Sequence, residues 1–197
     1  MDERIEAAAD LARIRALMER AGRYSNLSGY SLAFAGLIAT AGVLACAGMG
    51  VDFSWPGHAR TLAVVWGAVL LLAAAQHVAF TIVHARRRAE PVWSPLARQV
   101  VVAMLPALFI GAALTGFGLQ TGQLDLLPPA WMLAHGSSLM ALGLYAGGRL
   151  QSAGLAFLAM GAATLWWGKA HGLWLLLPSF GGIHLLLGLW MLWKPRG

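Results

Sequence analysis

LAVVWGAVLLLAAAQHVAFTIV, Leu62 to Val83, runs straight into His84, Ala85 and three arginines, Arg86, Arg87 and Arg88. Its twenty-two residues include no Asp, Glu, Lys or Arg. About 20 apolar residues is what a helix needs to cross a hydrocarbon core at a rise of about 1.5 Å per residue. The run lacks the polar alternation of a barrel strand and is too long for one. In lipid only a helix satisfies its own backbone hydrogen bonds, so the stretch reads as a membrane span ending in a basic turn.

Working outward, the same pattern recurs. Apolar runs cover residues 27–49, 62–83, 99–119, 129–147, 150–168 and 173–193. The expected fold is all-α: a polytopic bundle of six transmembrane helices over residues 27–197, preceded over 1–26 by an amphipathic cytoplasmic helix. Composition agrees. The chain has 197 residues, 59% hydrophobic and 11% charged, against about 25% charge in a soluble domain. One soluble core of this length cannot hide that much apolar surface. The net charge of +6 sits in short segments between apolar runs, which suits anionic lipid headgroups and excludes a nucleic-acid reading.

Lysine and arginine set the orientation. Twelve lie on one side, in the N-terminal arm, in the Arg86–Arg98 connection, at Arg149 and at the C-terminus; only Arg60 and Lys169 lie on the other. The positive-inside rule puts the twelve in the cytoplasm of a bacterial inner membrane, with both termini inside. The nine tryptophans fall near the ends of spans, where an aromatic belt belongs. The opening residues are charged rather than a short basic start before an apolar core, so the first apolar run is expected to act as a retained signal anchor. The arm places Ala7, Leu11, Ile14, Met18 and Ala21 on one face, as a surface-lying or partner-docking helix does.

The connections carry turn chemistry. Ser94 and Pro95 read as N-cap and first residue of a helix; Pro128 and Pro129 start the fourth span, and Gly147 with Gly148 turns into the fifth. Small residues share faces at Ala35, Ala39, Gly42 and Cys46, at Ala103, Ala107, Gly111 and Thr115, and at Gly143 and Gly147. Such stripes let helices approach closely inside a bundle. Pro106 and Pro178 are expected to kink their spans. Cys46 reads as a packing residue.

No catalytic constellation is visible, and no charged side chain lies deep in a span, which argues against a charge-relay pump. The interior polar candidates are Gln76, His77, His135, Ser138 and His184, with Thr81 and Ser137 as interhelical hydrogen-bond formers. Counting helical rise from the nearest inner charge sets His77 and His184 roughly 13–15 Å from the cytoplasmic edge and His135 about 21 Å. Two histidines at one depth suit a haem iron, which would pair His77 with His184; a neutral intramembrane histidine also serves simply as a hydrogen-bond partner. No cofactor is expected beyond that haem alternative. Trp93, Arg98, Arg20 and Arg23 are the cytoplasmic interaction candidates, for a protein partner or a second copy through the arm. The expected function is non-enzymatic partner binding or sensing, with a carrier or channel for a small neutral solute and a haem- or quinone-linked redox subunit as alternatives.

Three stretches, ARIRALMERAGRYSNLSGYSLAFAGLIA (12–39), PVWSPLAR (91–98) and SFGGIHLLLGLWMLWKP (179–195), together resemble a bacterial inner-membrane family with an IRxLMER arm, a Trp-Asn/Ser-Pro…Arg connection and Phe-Gly-x-x-His in the last span. The resemblance covers nearly the whole chain. It implies a six-span membrane fold, and matches His184, Trp93, Pro95 and Arg98, whereas His77 and His135 lie outside its pattern. Members are often encoded beside a small winged-helix regulator, which implies regulated expression. The resemblance implies no particular activity.

Overall fold

The computed structural model describes residues 27–89, 91–167 and 171–193. The predicted helix over 1–26, with Arg20 and Arg23, lies outside the described residues. The described residues are helical throughout, joined by short turns, with no strand among them. The helices are α1 (Gly29–Gly48), α2 (Ala59–Arg87), α3 (Pro95–Thr121), α4 (Leu127–Ala146), α5 (Gly148–Trp167) and the composite α6 (Gly172–Trp193). Their limits fall within a few residues of the predicted runs.

Four helical stretches, Gly29–Gly48, Pro56–Arg87, Pro95–Thr121 and Gly172–Trp193, are long and apolar enough to cross a membrane. α4 and α5 are each 20 residues long. They are more polar, with His135, Ser137 and Ser138 in one and Arg149, Gln151 and Ser152 in the other.

Local chemistry sets the boundaries. The Ser94 hydroxyl accepts the Ala97 N–H at 3.1 Å, and Pro95 follows as first residue of α3, so two of the sites that a helix start leaves open are settled. Prolines 128 and 129 stand in the first turn of α4. Gly147 has φ 110°, a value that side chains resist, and it reverses the chain into α5 within one residue. α3 runs through Pro106 as one helix. Near Pro178, α6 widens into a π-helical turn over Leu177–Ile183 before resuming at His184. Proline has no N–H for an i→i−4 bond, and a wider turn absorbs that gap.

The centre is built from two antiparallel helix pairs closed by glycines seven residues apart. On α4 and α5, a Cβ at Gly136 would stand 2.8 Å from the Gly154 carbonyl oxygen, and one at Gly154 would stand 2.8 Å from that of Gly136. On α1 and α6, Gly29 meets Gly188, and Gly36 meets Gly181. At these points backbone lies on backbone, the contact that small residues permit in lipid. The predicted stripes pack internally as well. Gly111 of α3 lies against Trp131 and Ala134 of α4, Gly42 of α1 against Val69 of α2, and Gly143 against Gln151.

α6 also reaches α4 and α5, so α1, α4, α5 and α6 form the core. α2 flanks it against α1, and α3 flanks it against α4. Only 6% of the apolar window in α2 and 11% in α3 is buried, compared with 39% in α1. Both flanking helices therefore turn most of their apolar surface outward, as lipid-facing helices do and water-soluble ones rarely can.

Candidate functional site

His135 comes from the middle of α4. His184 is the first residue after the π-helical turn of α6. Their Nε2 atoms stand 3.1 Å apart, within hydrogen-bond distance. Phe157 of α5, fully buried, meets the His135 ring edge-on at 4.9 Å and the His184 ring at 5.5 Å. Phe180, one turn before His184, stacks on it at 6.0 Å with 12° between planes and lies 5.2 Å from His135. The two phenyl rings meet at 4.9 Å. Four rings from three helices thus form one cluster, with contacts in the range where aromatic pairs attract.

His184 is 7% exposed, and its Nδ1 is buried without a hydrogen bond of good geometry. The Phe180 carbonyl is the backbone acceptor beside it, too poorly placed to count as a full partner. A buried ring nitrogen left this way costs about 1–3 kcal/mol.

A second polar group lies between α1 and α2. The Ser31 hydroxyl is 2.8 Å from His77 Nδ1 and 3.2 Å from Gln76 Oε1, while Gln76 Nε2 donates to the Ser31 carbonyl at 3.2 Å. Ser31 is buried. His77 also lies within electrostatic reach of His184.

His77 and His135 are ten and eleven residues from the ends of α2 and α4, and His184 is nine residues before Trp193, the last described residue of α6, at the same end of the bundle. At 1.5 Å per residue these are depths of about 15, 16 and 13 Å. The three histidines therefore share one level. The sequence count put His135 about 21 Å deep because it treated the chain up to Arg149 as one helix; the reversal at Gly147 already places Arg149 in the first turn of α5. The structure brings His135, rather than His77, to His184.

The remaining candidates are separate. Ser138 is fully buried on α4 and its hydroxyl lies 3.4 Å from the Met104 carbonyl of α3, a long contact that fits interhelical packing. Trp131 Nε1 donates to Thr115, whose hydroxyl donates to the Gly111 carbonyl, both at 2.8 Å. Trp93 is 65% exposed. Arg98 borders a shallow groove of about 240 Å³ with Gln99, Val102, Ala103 and Tyr145.

Sequence reasoning missed Ser31, Phe157 and Phe180. Phe180 stands four residues before His184, the spacing of one helical face, and that signal was available. Phe157 carries no such mark, because its meeting with His135 depends on how α5 packs on α4. Among the described residues no group of three or more His, Cys, Asp or Glu side chains is placed to hold a metal.

Compared with known protein families, with curated proteins and with solved structures, the chain shows no match, so its function is argued from its own geometry.

Proposed function

We propose that this chain is a six-span protein of the bacterial inner membrane, with both termini cytoplasmic, and that it works by binding and sensing without catalysing a reaction. Support for six spans comes from α4 and α5. Each is 20 residues long and they pack on each other between helices apolar enough to cross. Support for the orientation comes from arginines gathered at one end of the bundle, at Arg86–Arg88, Arg98 and Arg149.

The observation that carries the binding reading is the buried His135–His184 pair with its unpaired Nδ1. Buried polar groups in a membrane protein are costly and mark functional positions by default. A ligand held there would act on α4, α5 and α6 together. The neighbouring cytoplasmic segment with exposed Trp93 and Arg98, and the arm over 1–26 with Arg20 and Arg23, are the surfaces through which a partner or second copy would read that state.

The carrier reading, with Gln76, His77, His135 and His184 along a path, draws less support. The three histidines make a row across the bundle at one depth, whereas a path needs polar groups at successive depths. Haem between His77 and His184 draws the least. His77 is engaged by Ser31. The 3.1 Å between His135 and His184 also falls short of the about 4 Å that two imidazoles need across one iron, twice a metal–nitrogen bond.

The test is a thermal-shift screen of the purified protein in detergent against metal ions, quinones and lipids, alongside proteoliposome uptake of the same solutes. The expected outcome is a ligand-dependent rise in melting temperature that His135→Phe and His184→Phe abolish, without uptake. Histidine-dependent uptake would establish the carrier instead. A melting temperature that no ligand moves would end the binding reading.

A further inference from the structure

We propose that the groove between α3 and α4 holds one anionic phospholipid, with its phosphate on Arg98 and an acyl chain along the outer face of α3. This rests on the membrane reading above and goes beyond it: lipid takes Arg98, and a partner is left the segment around Trp93.

Depth places the groove. α3 has 27 residues, about 40 Å at 1.5 Å per residue, against a hydrocarbon core of about 30 Å. Centred on that core, the helix extends about 5 Å beyond each edge. Arg98 is the fourth residue of α3, about 4.5 Å from its start. Its backbone therefore lies where hydrocarbon gives way to headgroups, and its long side chain reaches the phosphate layer. Tyr145 stands one residue before the end of α4, at the same end of the bundle.

The polar groups there are donors in need of an acceptor. Arg98, Gln99 and Tyr145 border the groove, with Val102 and Ala103 beside them. Arg98 and Gln99 are exposed, and Tyr145 is half-buried with its ring against the core. None of the three has a hydrogen-bond or ionic partner among the described residues. Together they offer a guanidinium fork, an amide and a phenol, with no carboxylate. A guanidinium binds the oxygens of a phosphate in pairs. The amide and phenol suit the hydroxyls of an uncharged glycerol headgroup, whereas the ammonium of a zwitterionic lipid finds no anion here. Arg149, at the same end, is already committed, with its guanidinium 3.6 Å over the Trp190 ring. At about 240 Å³ the groove is smaller than the roughly 300–1,000 Å³ of pockets that enclose a small molecule. A lipid headgroup needs no such enclosure, because the bilayer holds its chains.

The surface below the groove selects a lipid over a soluble phosphate. Arg98, Val102, Leu105 and Phe109 follow at spacings of four, three and four, so they share one face of α3. Val102, Leu105 and Phe109 are all exposed. From Arg98 to Phe109 is about 16 Å along the helix, one leaflet of the hydrocarbon core. A cation above an apolar strip one leaflet long matches the head and tail of a phospholipid.

In the experiment the full chain in detergent is titrated by native mass spectrometry with phosphatidylglycerol and with phosphatidylethanolamine of the same acyl chains. The expected result is a first phosphatidylglycerol bound at least about fivefold more tightly, the weight of one arginine at an anionic surface. Arg98→Gln should remove that preference and Tyr145→Phe should reduce it, while Arg87→Gln on α2 leaves it intact. Because a variant can fail to fold, phosphatidylglycerol with a photoactivatable group on its acyl chain gives a second readout on the unaltered protein, with crosslinks expected within residues 98–110. A preference that survives Arg98→Gln or falls as far with Arg87→Gln, crosslinks spread over α2 and α3 alike, or equal binding of glycerol 3-phosphate, which has no chains, would overturn the site. If both lipids bind equally, the site alone falls. If neither binds and the chain stays monodisperse without detergent, the membrane reading falls with it.

Discussion

Ser31 shows how much one hydroxyl can organise in this protein. It sits in the first turn of α1 and engages both Gln76 and His77 of α2, so a single side chain sets how the flanking helix lies on the core. Its replacement by alanine leaves two polar groups without their partner. Interhelical hydrogen bonds in lipid average about 0.6 kcal/mol, and an unsatisfied buried group in general costs about 1–3 kcal/mol. Ser31→Ala should therefore destabilise by about 1 kcal/mol, read as a lower midpoint in a denaturing-detergent titration, with Ser31→Thr restoring part of the loss. An unchanged midpoint would mean that α2 is held by apolar contact alone.

Asp52 offers a test outside the spans. The Ser54 hydroxyl, with lesser help from the Ser54 backbone N–H and from His58, holds its carboxyl below the ordinary 3.8. A carboxyl with a lowered folded value contributes stability that is fully present above its unfolded value and disappears as pH falls through the folded one. The turn between α1 and α2 should thus hold above about pH 4 and loosen below it. Amide exchange at Ser54 measured across that range should show the loosening, and Asp52→Asn should flatten the profile.

At the level of elements, the glycine seams make the sharpest claim. A Cβ on Gly154 would meet the Gly136 carbonyl at 2.8 Å and the Met140 nitrogen at 2.9 Å, both backbone atoms that cannot turn aside. Gly154→Ala should cost about 1–3 kcal/mol, as overpacking does. Gly67 of α2 has nothing within 4 Å of the same position, and there alanine should be neutral or stabilise by up to about 1 kcal/mol. In one detergent the melting temperature of Gly154→Ala should fall, while that of Gly67→Ala should stay level or rise. The pairs at residues 29 and 36, 136 and 143, 154 and 161, and 181 and 188 each repeat at seven, the period of an interhelical seam. That spacing was legible in the sequence. The shorter stripes at Ala35–Cys46 and Ala103–Thr115 were easier to see, and they belong to the outer helix pairs.

For the whole molecule the decisive quantity is sidedness. Cys46 is buried on α1, so its replacement by alanine gives a background for single-cysteine labelling. Cysteines at Asp52, Gln123 and His171 should react with an impermeant thiol reagent from outside intact spheroplasts, whereas those at Trp93 and Gly148 should react only after the membrane is opened. Gln123 and Gly148 bracket α4, and Gly148 and His171 bracket α5. If Gln123 and Gly148 label from the same side, α4 does not cross and the six-span topology is wrong.

Six helices and their limits were determined by the sequence alone. Each run is apolar, about 20 residues long and free of strand alternation, a pattern that fits a helix, and its ends are written locally in Ser94, the prolines of α4, Gly147 and the arginine clusters. The exposure of Trp93 and Arg98 was legible as well, since one stands in the turn before α3 and the other in its first turn. Only the tertiary structure decided which histidines meet. His135 and His184 are far apart in the chain, and their levels depend on a reversal at Gly147, on a π-helical turn beside Pro178 and on two glycine seams that bring backbones together. Those are non-local facts, since a residue's depth can be counted along one helix but its neighbour is chosen by how helices pack.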